Sequence, residues 1–455
     1  RDFGDDKVYR LAVKEFFGHL VARRFNLEWY IEGGRTRTGK LRPPRFGLLH
    51  YLAAAIDEGR SDDVLLVPTS IAYDRLHEVA SMAAEHTGAT KRREGLHWML
   101  DYIRAQRANV GTARVNFGEP FSMREALAEA GDGRARLEKV AFRICDGINR
   151  VTPVTKTSLV SFALLGTRDR ALTLREVASV TAPLLDLLAE RGVPGPIDEL
   201  RRPSGLRAGL DALTEAGAAQ CFAGGDEPVW SLAPDGHHVA AFYRNGALHH
   251  LVLRAIVELV LLHLATVPDG TDPIDASWRE ALRLRDLLKF EFFFADKPRF
   301  REELEAETLL LDPAWRERVC QPGGPAALLA ACPGVVAHRT LRSFLDAQLV
   351  VAERLARRNP RAALDRDAFL DECLGIARQM VLQGRLHGAE SVSRELFGGA
   401  LRLAANRDLV DPGREEVRLA REAWRDEVRD VIDRLRTIEQ LDRAQLEEVL
   451  GDVAA

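Results

Sequence analysis

"EWYIEGGRTRTGKLRPPRFG", residues 28–47, decides between two kinds of phosphate-binding fold. Gly34 to Lys40 nearly spells the phosphate-cradling loop of nucleotide hydrolases, four residues between a Gly and a Gly-Lys pair. In that loop the Lys is followed by Ser or Thr, whose hydroxyl ligates magnesium, and a helix begins there. Here Leu41 follows, and Pro43 and Pro44 remove two backbone donors and push the preceding residues towards extended geometry. A nucleotide-hydrolase loop is excluded on both counts. What remains is Arg35, Arg37, Lys40, Arg42 and Arg45 with no acid among them, preceded by Glu32, Gly33 and Gly34. Guanidinium groups present fork-shaped donors to phosphate, and glycines let backbone approach a ligand closely. A carboxylate beside them suits the hydroxyls of a sugar- or glycerol-like phosphate. A basic surface turn with Glu32 as an ion-pair partner fits the spacing equally well.

The chain as a whole narrows the setting. Its 455 residues are enough for two or three domains. Basic residues (64) nearly balance acidic ones (68), and the net charge of −4 argues against a general nucleic-acid binder. Five cysteines without a C-x-x-C pair point to a reducing compartment, core thiols and no zinc framework. The histidine pairs at 237/238 and 249/250 have no carboxylate or cysteine at ligand spacing, so no metal site is expected. No signal peptide opens the chain, and its first residue, Arg1, suggests a fragment. The most apolar stretch, residues 250–267, carries Arg254, Glu258 and His263, so it is expected as a buried helix rather than a membrane span.

Apolar spacing predicts an amphipathic helix over residues 5–25, a short β-rich run at 27–31, and a helix from Phe46 to Gly59. Strands are predicted at 64–73 and 113–120, with a helix through 75–106 between them. Strands alternating with helices imply an α/β domain with a largely parallel sheet, whose ligands bind at strand C-terminal ends. Beyond residue 150 helical patterns dominate. Residues 172–232 read as helices followed by a wing-like hairpin at 220–232, the order of a winged-helix element. Its helices lack clustered Lys and Arg, so a structural module is favoured over a DNA reader. Further amphipathic helices are predicted at 336–357, 365–384 and 412–449. The run 287–300 mixes phenylalanines with Lys and Arg, which suits buried packing or a seat among lipid headgroups.

The string "YIEGGRTRTGKL" resembles the third conserved block of the glycerol-3-phosphate acyltransferases of the phospholipid-synthesis acyltransferase superfamily. Three further stretches agree in order: "LLVPTSIAYDRLHEV" (65–79) looks like the fourth block, "VNFGEP" (115–120) like the following strand-turn, and "AFYRNGALHHLVLRA" (241–255) like a helix of the C-terminal region. The resemblance is strong to about residue 122 and thinner from 150 to 310.

It implies an α/β acyltransferase domain over residues 1–150, truncated at its N-terminus, then a mostly helical region with the winged-helix element at 151–310 and additional helices at 311–455. The implied activity is transfer of a fatty acyl group from acyl-CoA or acyl carrier protein, as co-substrate, to the sn-1 hydroxyl of glycerol 3-phosphate, without a cofactor. The product would be lysophosphatidate. Dihydroxyacetone phosphate is the near alternative acceptor, and a non-catalytic helical scaffold with a degenerate phosphate site is the alternative from another class. Glu32, Gly33 and Arg35 match glycerol-3-phosphate-binding positions, Arg37 a second phosphate contact, Arg1 the last arginine of the second block, and Pro68 the fourth-block proline on the acyl side. The family's His-x-x-x-x-Asp pair, base and orienting acid, is missing: none of the twelve histidines has an Asp five positions on. That pair is expected upstream of Arg1, so this chain alone is expected to be inactive. Peripheral attachment to the cytoplasmic face of the plasma membrane is implied by a lipid product.

Overall fold

The computed structural model of the protein describes residues 6–34, 36–76, 79, 111–131, 133, 135–167, 170–268, 270–410 and 416–452. Two compact units divide the chain: Arg1–Thr36, Lys40–Ala72 and Ala113–Pro153 form one, and Arg37–Gly39, Tyr73–Thr112 and Val154–Ala455 the other.

In the first unit, helix α1 (Lys7–Ala22) begins where the Asp6 carboxylate accepts the N–H groups of Val8 and Tyr9, both at 3.0 Å. Helix α2 (Gly47–Asp57) buries Leu49, Leu52, Ala53 and Ile56 at helical spacing. Lys14 on α1 pairs with Glu58 at 2.6 Å, and Phe17 meets Tyr51 of α2 with ring centroids 6.2 Å apart. Strands β1 (Leu65–Leu66), β2 (Thr69–Tyr73), β3 (Ala113–Phe117) and β4 (Phe121–Ser122) form two small sheets, β1 antiparallel to β4 and β2 beside β3. Helix α3 (Met123–Ala130) starts on a Ser122 cap, and helix α4 (Arg136–Val151) follows it.

The structure is thus mostly helical with small sheets, where sequence suggested a larger parallel one. Residues 27–30 carry no strand, and the Ile31 carbonyl instead accepts the N–H of Arg45 at 2.7 Å. Pro68 has no N–H to donate, and the single run expected at 64–73 is broken there into β1 and β2. The helix expected at 75–106 lies mostly outside the described residues.

The second unit continues with α5 (Lys156–Leu165), β5 (Leu172–Thr173), α6 (Leu174–Glu190), α7 (Pro203–Glu215), β6 (Ala219–Phe222) and β7 (Val229–Leu232). Reciprocal capping boxes start two of these helices, Thr155 with Ser158 at α5 and Thr173 with Glu176 at α6. The hairpin expected at 220–232 is β6–β7, antiparallel, and β7 is the central strand in the order β5-β7-β6. Trp230 on β7 is completely buried. The remaining long helices are α8 (His237–Asn245), α9 (Val252–Leu264), α10 (Pro273–Leu288), α11 (Lys297–Leu311), α12 (Ala337–Arg357), α13 (Arg366–Leu382), α14 (Arg394–Asn406) and α15 (Glu416–Asp452).

Helix α12 is the axis of this unit. Burying all its faces forces its charges to be paired. Arg342 donates to Asp346 at 2.9 Å, Arg339 to Asp442 of α15 at 2.6 Å, and Glu353 accepts from Arg429 of α15 at 2.7 Å. The aromatic run at 287–300 turns inward, Phe292 standing edge-on to Phe344 at 5.1 Å and Phe294 to Phe300 at 5.5 Å. Among the described residues no helix is long and apolar enough to cross a membrane. The apolar stretch 250–267 supplies the buried α9, where Arg254 pairs with Glu307 and the Glu258 carboxylate accepts the N–H groups of Val336 and Ala337 at the start of α12.

Glu258 is entirely inaccessible to water. Burial raises its carboxyl from 4.5 to about 8, outweighing those two N–H donors and the Arg254 charge. Between these values the folded chain holds a proton that the unfolded chain releases, so this group's contribution to stability falls as pH rises through that window. Glu258→Gln, which imitates the protonated acid, should therefore lose less stability than the wild type between about pH 5 and about pH 8, by at least ~1 kcal/mol in urea unfolding. Parallel curves for the two proteins would show that Glu258 is ionised throughout.

Candidate anion-binding loop

The loop after residue 31 is shaped by its own polar groups. Gly33 lies in the left-handed region at φ 66°, and its N–H closes a turn on the Tyr30 carbonyl at 3.0 Å. A Cβ there would stand 2.7 Å from Cγ of Arg45, and one on Gly34 would stand 3.6 Å from a terminal nitrogen of Arg42. Gly33 thus makes room for the Arg45 side chain, and Arg42 passes Gly34 at ordinary contact distance, within the first unit. Glu32 accepts the backbone N–H of Arg42 at 2.8 Å, tying the start of the loop to its end. Thr36 donates its hydroxyl to the Lys40 carbonyl at 2.6 Å. A short basic loop held by a carboxylate and a hydroxyl can present donors to an anion with little ordering left to do on binding.

Pro68 is buried and acts as a wedge. Its carbonyl accepts the N–H of Gly118 at 2.7 Å, and its ring fills the space beside Gly147 of α4, where a Cβ would meet Cγ of Pro68 at 2.6 Å. Asn116 donates to the Val151 carbonyl at the end of α4 at 2.9 Å, and Thr152 donates to Ser70 at 2.8 Å. The stretches 65–73 and 115–120, recognised separately in the sequence, therefore meet on one helix. On that helix the Cys145 thiol is pushed up to about 12, first by burial and then by the neighbouring Glu32 and Asp146 carboxylates. Pro68 is accordingly packed on α4 and the Glu32 charge acts on a thiol of that helix, whereas Arg1 and Arg35 lie outside the described residues.

Arg37–Gly39, the middle of the loop, belong with the second unit. Arg37 is exposed and Thr38 buried. The Thr38 carbonyl accepts from Nδ2 of Asn245 at 2.8 Å, and Gly39, at φ 78°, lies against the Phe242 carbonyl, where a Cβ would come within 1.9 Å. Arg244 and Asn245 were not singled out from sequence, although a cation and an amide directly after the apolar run Val239–Tyr243 were the available signal. Among the described residues no group of His, Cys, Asp and Glu could hold a metal ion.

The sequence profile of the glycerol-3-phosphate acyltransferase C-terminal region matches residues 82–413. The chain belongs to this family. The proteins called "Putative acyltransferase plsB1" in Mycobacterium bovis and in Mycobacterium tuberculosis strains CDC 1551 and H37Rv are each 43% identical to it over 461 residues, covering 98% of this chain and 73% of the relative. In this member of the glycerol-3-phosphate acyltransferase family, α8 and α12 lie inside the matched region, and Arg37–Gly39 pack with them in one unit.

Two outcomes follow for α4. Gly147→Ala should lower stability by about 1–3 kcal/mol in thermal melts, because overpacking against Pro68 outweighs the ~1 kcal/mol that Ala favours in a helix. In iodoacetamide labelling of the folded chain near neutral pH, followed by peptide mass spectrometry, exposed Cys221 and Cys320 should be modified while Cys145 is spared.

Proposed function

We propose that the protein transfers a fatty acyl group from acyl-CoA or acyl carrier protein to the sn-1 hydroxyl of glycerol 3-phosphate. The sn-1 hydroxyl oxygen gives up its proton and attacks the thioester carbonyl, a new ester bond forms, the carbon–sulfur bond breaks, and the leaving thiolate takes up one proton in place of the one released. Lysophosphatidate and the free thiol result. The observation that carries this reading is the loop itself. Gly33 is bent into a conformation that suits glycine, cationic side chains gather beside it, and Glu32 is held at its start.

In this reading Glu32, Gly33 and Arg35 bind the acceptor, with Arg37 and Arg1 as further phosphate contacts and Pro68 shaping the acyl side. Phosphate favours arginine forks. The glycerol hydroxyls favour a carboxylate acceptor. No histidine of this chain is assigned as the base. The proposed location is the cytoplasmic face of the plasma membrane, by peripheral contact, which the exposed Val8, Leu11 and Phe16 of α1 support.

The test is kinetic, on the natural full-length protein with varied glycerol 3-phosphate and palmitoyl-CoA. Loss of a charge-assisted contact in Arg35→Ala should raise KM for glycerol 3-phosphate by about 10- to 100-fold and leave that for palmitoyl-CoA within about twofold. Equal effects on both substrates would refute the assignment. A wild type preferring dihydroxyacetone phosphate would replace the acceptor.

A further inference from the structure

We propose that Asn245, held in place by Arg244, is a positioning residue for acyl transfer: its side-chain amide fixes the backbone of Arg37–Gly39 and thereby the base from which the Arg37 guanidinium reaches the acceptor's phosphate. The proposal rests on the reading of Arg37 as a phosphate contact, and every contact it uses lies within the second unit.

The orientation of the Asn245 amide is forced rather than chosen. Nε and a terminal nitrogen of Arg244 both donate to Oδ1 of Asn245, at 3.2 and 3.0 Å. A guanidinium has donors only, so the amide must turn its oxygen to Arg244. Its NH2 group is left facing the Thr38 carbonyl, where it donates at 2.8 Å. Arg244 is in turn held from α12, donating to the Ser343 hydroxyl at 2.9 Å, and its own exposure is 3%. A chain of donors thus runs from a core helix to the carbonyl of one loop residue.

Three features make this a clamp. Asn245 and Thr38 are both buried, so the bond between them is shielded from water, and losing it removes a buried hold on the loop backbone. Gly39 is pressed onto the Phe242 carbonyl at a positive φ, so the loop backbone sits in one register on the last turn of α8 and only glycine fits there. Arg37, the next residue but one, is exposed. A cation carried on an immobilised backbone has already surrendered part of the entropy that ligand binding would otherwise cost.

Asn245→Asp and Gly39→Ala attack the clamp from opposite sides. The aspartate keeps the size and the acceptor towards Arg244 but has no N–H for Thr38. The alanine leaves the helices untouched and lifts the loop off Phe242. Both are made in the natural full-length protein and followed by hydrogen exchange of the peptide over residues 36–42 and by steady-state kinetics with glycerol 3-phosphate and palmitoyl-CoA. In each, exchange of that peptide should accelerate about tenfold and KM for glycerol 3-phosphate should rise about tenfold, with KM for palmitoyl-CoA within about twofold. The double variant should be no worse than the poorer single one, because both remove the same constraint.

Unchanged exchange in both variants overturns the clamp. Faster exchange with both KM values unmoved, or moved equally, overturns its role in positioning while leaving the proposed function intact. A wild type with no saturable dependence on glycerol 3-phosphate overturns the proposed function and the positioning role with it.

Discussion

A guanidinium taken out of water has to find its hydrogen-bond partners inside the protein, and Arg244 is where that requirement organises the molecule. Burial lowers the proton affinity of this group, opposed by the Glu390 charge. A buried cation left with unmet donors costs several kcal/mol. Arg244 meets the demand with Asn245 and Ser343 and lies near the Arg339 carbonyl. Because the partners come from its own helix and from α12, satisfying one cation joins two core helices and leaves an amide directed at residues 37–39 of the same unit.

The same rule runs through the rest of the second unit. Against the pull of burial, His237 and His387 hold the Glu390 carboxyl well below the usual carboxylate range. Arg342 with Asp346, Arg339 with Asp442, and Arg434 with Glu280 at 2.7 Å place ionic contacts between or along helices that would otherwise meet through apolar side chains alone. Such pairs are weak evidence for stability, since an apolar replacement of similar shape would cost no desolvation. What they supply is registry: a helix such as α12 cannot slide by one turn without stranding several buried charges.

Around Pro68 the first unit follows a steric logic. Pro68 sits between Gly118 and Gly147, and neither glycine could carry a larger side chain without displacing it. The wedge joins the turn after β3 to α4, and α4 carries the Cys145 thiol, whose proton affinity is raised first by burial and then by the Glu32 carboxylate. Membership of the glycerol-3-phosphate acyltransferase family gives this arrangement a chemical context, with the two ends of the loop, at Glu32–Gly34 and Lys40–Arg45, and the Pro68 wedge in one compact unit.

Much of this was legible in the residues. Apolar periodicity located α1, α2, α12, α13 and α15 to within a few residues, since a helix face is written locally every three or four positions. Gly224, Gly225 and Asp226, residue types that favour turns, located the β6–β7 hairpin, and the charges inside residues 250–267 marked α9 as buried rather than membrane-spanning. Strand pairing was not legible, because alternation shows that a segment is extended and says nothing about which partner it meets. Residues 27–30 and the break at Pro68 are the cases in point. By itself the sequence determined the kind of loop, a donor-rich turn whose prolines exclude a nucleotide helix, together with the family signature around it. Only the tertiary structure decided that Thr38 and Gly39 pack against Asn245 and Phe242, some two hundred residues away, because that contact depends on buried polar groups finding one another in space and leaves no periodic trace along the chain.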